Sequence, residues 1–142
     1  PSKAAHLAVA AEHQRTIAFL LSQGNDHLRW VVTIYRALHI IEAVFAGDPK
    51  APAQHTDDHS RRNQILRTHR RYAHLWKNYH PLFNASLIAR YLRIDGNTAE
   101  YDDFAAYMDL GTVQNILLNH HLHQIEQSGA KLLGDPELFG GS

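Results

Sequence analysis

The chain has 142 residues and no cysteine. That length suits one domain able to bury its own core, and the lack of thiols excludes a disulfide framework or a thiolate metal site. Lys plus Arg and Asp plus Glu both number 14, so a general attraction to nucleic acid is excluded and any such binding needs a local basic patch.

Histidine is the outlier at 12 residues, so many groups titrate between about pH 5 and 8. The opening segment, with Lys3, His6, Glu12 and His13, does not read as a signal peptide. No apolar run reaches the roughly 20 residues of a bilayer span. With no cysteine, the expectation is a cytoplasmic protein without a membrane partner.

Helices are predicted throughout. Residues 3 to 22 are rich in Ala, Leu and Gln, and Leu7, Ala10, Ala11, Ala18 and Leu21 can share a stripe. Gly24 lies past the end of that helix, and Asn25 or Asp26 can cap the next. Residues 26 to 46 form the most apolar segment, with Leu28, Val31, Val32, Tyr35, Leu38, His39, Ala43 and Val44 at helical spacing. A loop containing Gly47, Pro49 and Pro52 follows.

Thr56 or Asp57 can cap a third helix over about 57 to 77. Pro81 marks a new start or a kink before a short helix that runs to about Leu92. Residues 93 to 103 read as a loop carrying Gly96, with a turn of helix around Phe104 to Met108. Thr112 can cap a last helix over about 112 to 133, with Val113, Ile116, Leu117, His120, His123 and Leu132 toward the core. No internal repeat or linker is visible. The expected fold is all-α, an antiparallel bundle of four main helices plus short ones, with no β-sheet and a single domain over residues 1–142.

The stretch HTDDHSRRNQILRTH, residues 55 to 69, concentrates histidine, acid and arginine. On a continuous helix, Arg62, Ile65, Leu66, His69, Tyr72, Ala73 and Trp76 share one face. Arg62 and His69 then lie two turns apart on a stripe that is otherwise apolar. Asn63 sits beside Arg62, His59 lies one turn earlier, and Arg61, Arg67, Arg70 and Arg71 flank them. Arg, Asn and His in a partly desolvated place suit phosphodiester chemistry without a metal. A histidine can move the proton of a ribose 2′-hydroxyl, and an arginine can stabilise charge on phosphate oxygens. The plainer alternative is an ion pair of Arg62 with an acid such as Asp58, and a packed His69.

Segments along the chain resemble the HEPN family, helical nucleotide-binding modules of which many are RNases. RNQILRTH places Arg62, Asn63 and, after six intervening residues, His69. IYRALHIIEA, with Tyr35 and His39, resembles the family's aromatic helix, although Ile34 and Arg36 depart from its pattern. HSRR and the later SLIARYL match its other elements, so the resemblance covers roughly residues 26 to 127.

The resemblance implies a metal-independent RNase or RNA-binding, toxin-like module. Arg62, Asn63 and His69 would be its catalytic residues, and His59, Arg61, Arg67 and Arg70 its substrate-binding residues. It also implies a homodimer, with RNA or a nucleotide as ligand and no cofactor. In a second branch of the family, His59 and Arg62 recur as a structural pair. The implied alternative is a non-catalytic module binding a nucleotide or a nucleotidyltransferase-like antitoxin.

His55 with His59, and His120, His121 and His123 on the last helix, raise a third possibility, a His-rich metal-binding bundle. The Glu-x-x-His repeat of bundle metal sites is absent, so surface or packed histidines are expected there and no metal ligand is assigned. Tyr72, Trp76 and Tyr79 could stack bases or line the core.

Overall fold

A computed structural model describes residues 2–24, 26–91, 93–94, 97–98 and 111–140. The fold is all-α. Five α-helices are described: α1 (Lys3–Ser22), α2 (Asp26–Gly47), α3 (His59–Thr68), α4 (Ala73–Tyr91) and α5 (Gly111–Leu132). A 3-10 turn, Arg70–Tyr72, joins α3 to α4. The expectation of no β-sheet meets one small exception. Arg93–Ile94 pairs antiparallel with Asn97–Thr98 where a plain loop was predicted, and two residues a side are too few to form a layer. The turn expected around Phe104 to Met108 lies outside the described residues.

α2 is the hub, packing against α1, α4 and α5, while α4 packs against α3 and α5. Ile34, Ala37, Ile40, Ile41, Val44 and Phe45 of α2 are all buried. A helix apolar on nearly every side must be enclosed, and three neighbours enclose this one. Residues Arg29–Gly47 are, by length and composition, apolar enough to cross a membrane, at a mean hydropathy of 1.3. This differs from the expectation that no segment qualifies. Since 67% of that stretch is buried inside the protein, the helix meets the criterion as a core element does.

α1 buries His6, Ala10 and Ile17. The predicted stripe is therefore rotated: Ala11 and Ala18 are exposed, and Leu21 is 57% exposed. A histidine takes a core position because a polar cluster lies beneath it. Gly24, at φ 69°, follows the C-cap Gln23 and ends α1 as expected. On α5, Leu122, Ile125, Gly129 and Ala130 face inward. His120 and His123 are exposed, contrary to their expected inner placement. A Cβ on Gly129 would come within 2.8 Å of Ile40, so α2 and α5 approach closely there.

The predicted third helix over 57 to 77 is divided. Asp58, rather than Thr56 or Asp57, is the N-cap, its Oδ1 accepting from the Arg61 N–H at 2.7 Å. The helix stops at Thr68, His69 is extended (φ −102°, ψ 114°), and the chain restarts in the 3-10 turn. Arg67, Thr68, Arg70 and Arg71 do not forbid a helix, so the break has a tertiary cause. The restart brings Arg71 Nε to 2.6 Å and the Tyr72 hydroxyl to 2.8 Å from Asp48 Oδ2, just past the end of α2. α4 then runs through Pro81 without ending there. The missing N–H is tolerated inside this packed helix, whose Leu75, Tyr79 and Leu82 are buried.

Asp48 is 4% exposed. Burial pushes its carboxyl up, but hydrogen bonds from Arg71, Tyr72 and the Lys50 N–H outweigh that and hold it below the usual carboxylate range. The unfolded chain, at 3.8 for this group, therefore binds its proton first on acidification. The contribution is fully present above about pH 5 and is lost as pH falls through 3.8 toward the lower folded value. Denaturant midpoints followed from neutral pH down to about pH 3 should fall, and Asp48→Asn should remove part of that dependence.

Candidate functional site: a buried histidine, glutamate and arginine cluster

Three segments converge on one face of α2. On that helix His39 and Glu42 are three residues apart, so both point to the same side. α1 brings His6 and His13 over them. The segment between α2 and α3 contributes His55 and Thr56, and the first turn of α3 contributes His59 and Arg62.

Glu42 is the centre, at 1% exposure. Its Oε1 accepts from Arg62 Nε at 3.0 Å and from the Thr56 hydroxyl, and its Oε2 accepts from the Thr56 N–H at 3.1 Å. His55 Nδ1 lies 3.5 Å from the same Oε2, and His55 Nε2 lies 3.0 Å from Asp57 Oδ1. Arg62, 4% exposed, also donates from Nη1 to His59 Nδ1 at 3.1 Å. The His59 ring rests on Phe83, with centroids 5.1 Å apart. Removal from water on this scale is tolerated because both charges are paired and multiply hydrogen-bonded.

The histidines above Glu42 form a second tier. His6 Nδ1 and His39 Nδ1 are 3.1 Å apart, one donating and the other accepting. The His6 ring stacks with His55 at 5.4 Å, and the His13 ring lies 5.6 Å from that of His39. Burial, then the neighbouring His6 and His13, push His39 down to about 4. Burial is also the main reason that His6 and His13 are lowered. The three imidazoles are therefore neutral at pH 7, able to accept a proton or coordinate a cation through a free ring nitrogen. His6 Nε2 is buried and has no hydrogen-bond partner.

The residues singled out in the sequence are placed differently from one another. Arg62 and His59 join the cluster. Arg62 is paired with an acid, as the plainer alternative held, but that acid is Glu42 rather than Asp58. His69 is not on the Arg62 stripe, because the helix ends before it. It is exposed, its Nδ1 3.0 Å from the Ile65 carbonyl and 3.2 Å from the Thr68 hydroxyl. Asn63 is half-buried, with an unpartnered Oδ1. Arg61, Arg67 and Arg70 are exposed. Tyr72 and Tyr79 are buried in the core, whereas Trp76 is half-buried and stacks on His80 at 4.6 Å.

Glu42, His6, His39 and Thr56 were missed as site residues. Their signal is a His-x-x-Glu step on the most apolar helix, a polar pair that a core helix carries only with partners. The His-x-x-Glu order is the reverse of the Glu-x-x-His repeat of bundle metal sites. A second concave region lies between α4 and α5, an open cleft of about 600 Å³ lined by Arg71, His74, Gln124, Gln127, Ser128 and Lys131. Comparison with family models, curated proteins and solved structures finds no match for this chain.

Arg62→Ala leaves Glu42 buried without its cation and should cost about 3–5 kcal/mol in denaturant titration. Adding Glu42→Gln should recover part of that loss, because the stranded charge is then gone. His69→Ala, at an exposed position, should fall within about 0.5 kcal/mol of the parent.

Proposed function

We propose that this chain is a HEPN-like helical module that binds RNA or a nucleotide without cutting it. α1, α2, α4 and α5 are the four main helices of its antiparallel bundle. The observation that carries this is the commitment of Arg62. Its guanidinium is held inside the protein by Glu42 and His59, so it is not available to clamp a scissile phosphate unless the core opens. Binding is supported by Arg61, Arg67 and Arg70, which are exposed and have no carboxylate partner among the described residues. The cleft between α4 and α5 adds Lys131, while the Arg71 at its edge is already paired with Asp48. Such a local patch is what a chain of zero net charge needs to hold phosphate.

A metal-independent RNase is the second reading, favoured by the exposure of His69 beside Arg67 and Arg70. In it, His69 is the general acid or base and the surface arginines replace Arg62 at the phosphate. A homodimer belongs to both readings. Arg62 is satisfied within the chain by Glu42, so the dimer rests on the family resemblance.

Single-stranded RNA should bind to the wild type in the presence of chelator and remain intact. Replacing Arg61, Arg67 and Arg70 together by Ala should weaken binding and lower the slope of log K against log salt by about 2. Cleavage to 2′,3′-cyclic phosphate ends, lost in His69→Ala by roughly 10²–10⁴-fold, would establish the RNase instead. Absence of both binding and cutting would reject both. Light scattering at tens of micromolar should give about twice the 16.1 kDa chain mass.

A further inference from the structure

We propose that His6, Glu42 and His55 form a binding site for one divalent transition-metal ion of the zinc class. One ligand atom from each lies within 4.8 Å of the others. His55 Nδ1 and Glu42 Oε2 are already 3.5 Å apart, against about 3.3 Å between ligands in a tetrahedral site with bonds of 2.0–2.1 Å. Two imidazoles and one carboxylate are a ligand set used for zinc and for non-haem iron, and they leave at least one position open.

The surroundings of the three residues are those of ligands. Metal-bound histidines have their second ring nitrogen tied by a hydrogen bond, which fixes tautomer and ring plane. Here His55 Nε2 lies 3.0 Å from Asp57 Oδ1, an ion-pair contact, and Nδ1 is the nitrogen toward Glu42. His6 Nδ1 is held by His39 at 3.1 Å, leaving Nε2, the buried atom that has no partner. Glu42 has Oε1 anchored by Arg62 and Thr56, while Oε2 carries the Thr56 N–H and retains a lone pair. A buried ring nitrogen without a partner is an exception among packed polar groups and calls for a ligand.

The three ligands come from α1, α2 and the loop before α3, so an ion there ties together segments far apart in sequence. His55, with a side chain 34% exposed, is the member that solvent reaches. It lies on the loop between α2 and α3. Arg62 already offsets the charge of Glu42. The ion's charge therefore favours hydroxide or another anion in the open position. This site is independent of RNA or nucleotide binding, which uses other residues.

The full chain, stripped with chelator and dialysed, is titrated with Zn²⁺ by calorimetry and with Co²⁺ by visible absorption. One Zn²⁺ per chain should bind, and Co²⁺ should give the intense bands of a four- or five-coordinate site. His55→Ala should weaken Zn²⁺ binding at least tenfold and abolish those bands. Its ring is partly exposed and its removal strands no buried charge, so circular dichroism should show a folded variant. His6→Ala should act likewise, whereas replacing His120 and His123 together should change neither readout. The proposal is overturned if wild type takes up no Zn²⁺ saturably, or if uptake persists unchanged in folded His55→Ala. It is equally overturned if uptake disappears with His120 and His123. A destabilised His55→Ala is assayed at reduced temperature, where the same two outcomes decide.

Discussion

The buried pair of Glu42 and Arg62 is the constraint around which this molecule is arranged. A carboxylate at the centre of the most apolar helix cannot remain charged without a cation and further donors. Arg62 provides the first, and Thr56 the second through both backbone and side chain. Meeting that need fixes where α3 begins, how it lies on α2, and the path of the loop between them. The same need takes Arg62 away from the surface and into the core, which decides how its chemistry is to be understood.

α2 repeats this device along its length. Arg36, 5% exposed, donates to the Ala10 carbonyl on α1 at 2.7 Å and to Glu126 on α5 at 2.9 Å. Asp48, just past its end, captures Arg71 and Tyr72. Three charged groups spaced along α2 and its end thus reach α1 and α5, α3, and the turn before α4. Apolar burial supplies the bulk of the driving force. The charged contacts specify which segment docks at which level, since a wrong partner strands a buried charge. Asp48 also accounts for the interruption at His69: a continuous helix through residue 77 has no extended residue at which to redirect the chain toward that carboxylate.

The histidines change meaning in the folded chain. In the sequence they are dense between residues 55 and 69 and again at 120 to 123, and those clusters draw the eye. The fold splits both. His69, His120 and His123 go to the surface, while His6 and His39, far apart in sequence, meet through their Nδ1 atoms over Glu42. Local density reflects neighbours along one segment, but a site in a helical protein is assembled from facing positions on several segments.

Sequence alone determined the all-α class, the ends of α1 at Gly24, the extent of α5 to within a residue or so, and the identity of α2 as the core helix. These follow from propensity, capping residues and apolar spacing, which act within a few residues of one another. It also marked Arg62 and His59 as a pair and allowed that Arg62 meets an acid. Only the tertiary structure decided that the acid is Glu42, that His69 leaves the helix, and that His6 rather than Leu7 faces inward. Each of those outcomes turns on a buried charge or imidazole finding partners 14 to 33 residues away. The energy of that pairing exceeds the fractions of a kcal/mol by which local propensities differ, and its geometry exists only once the helices have packed.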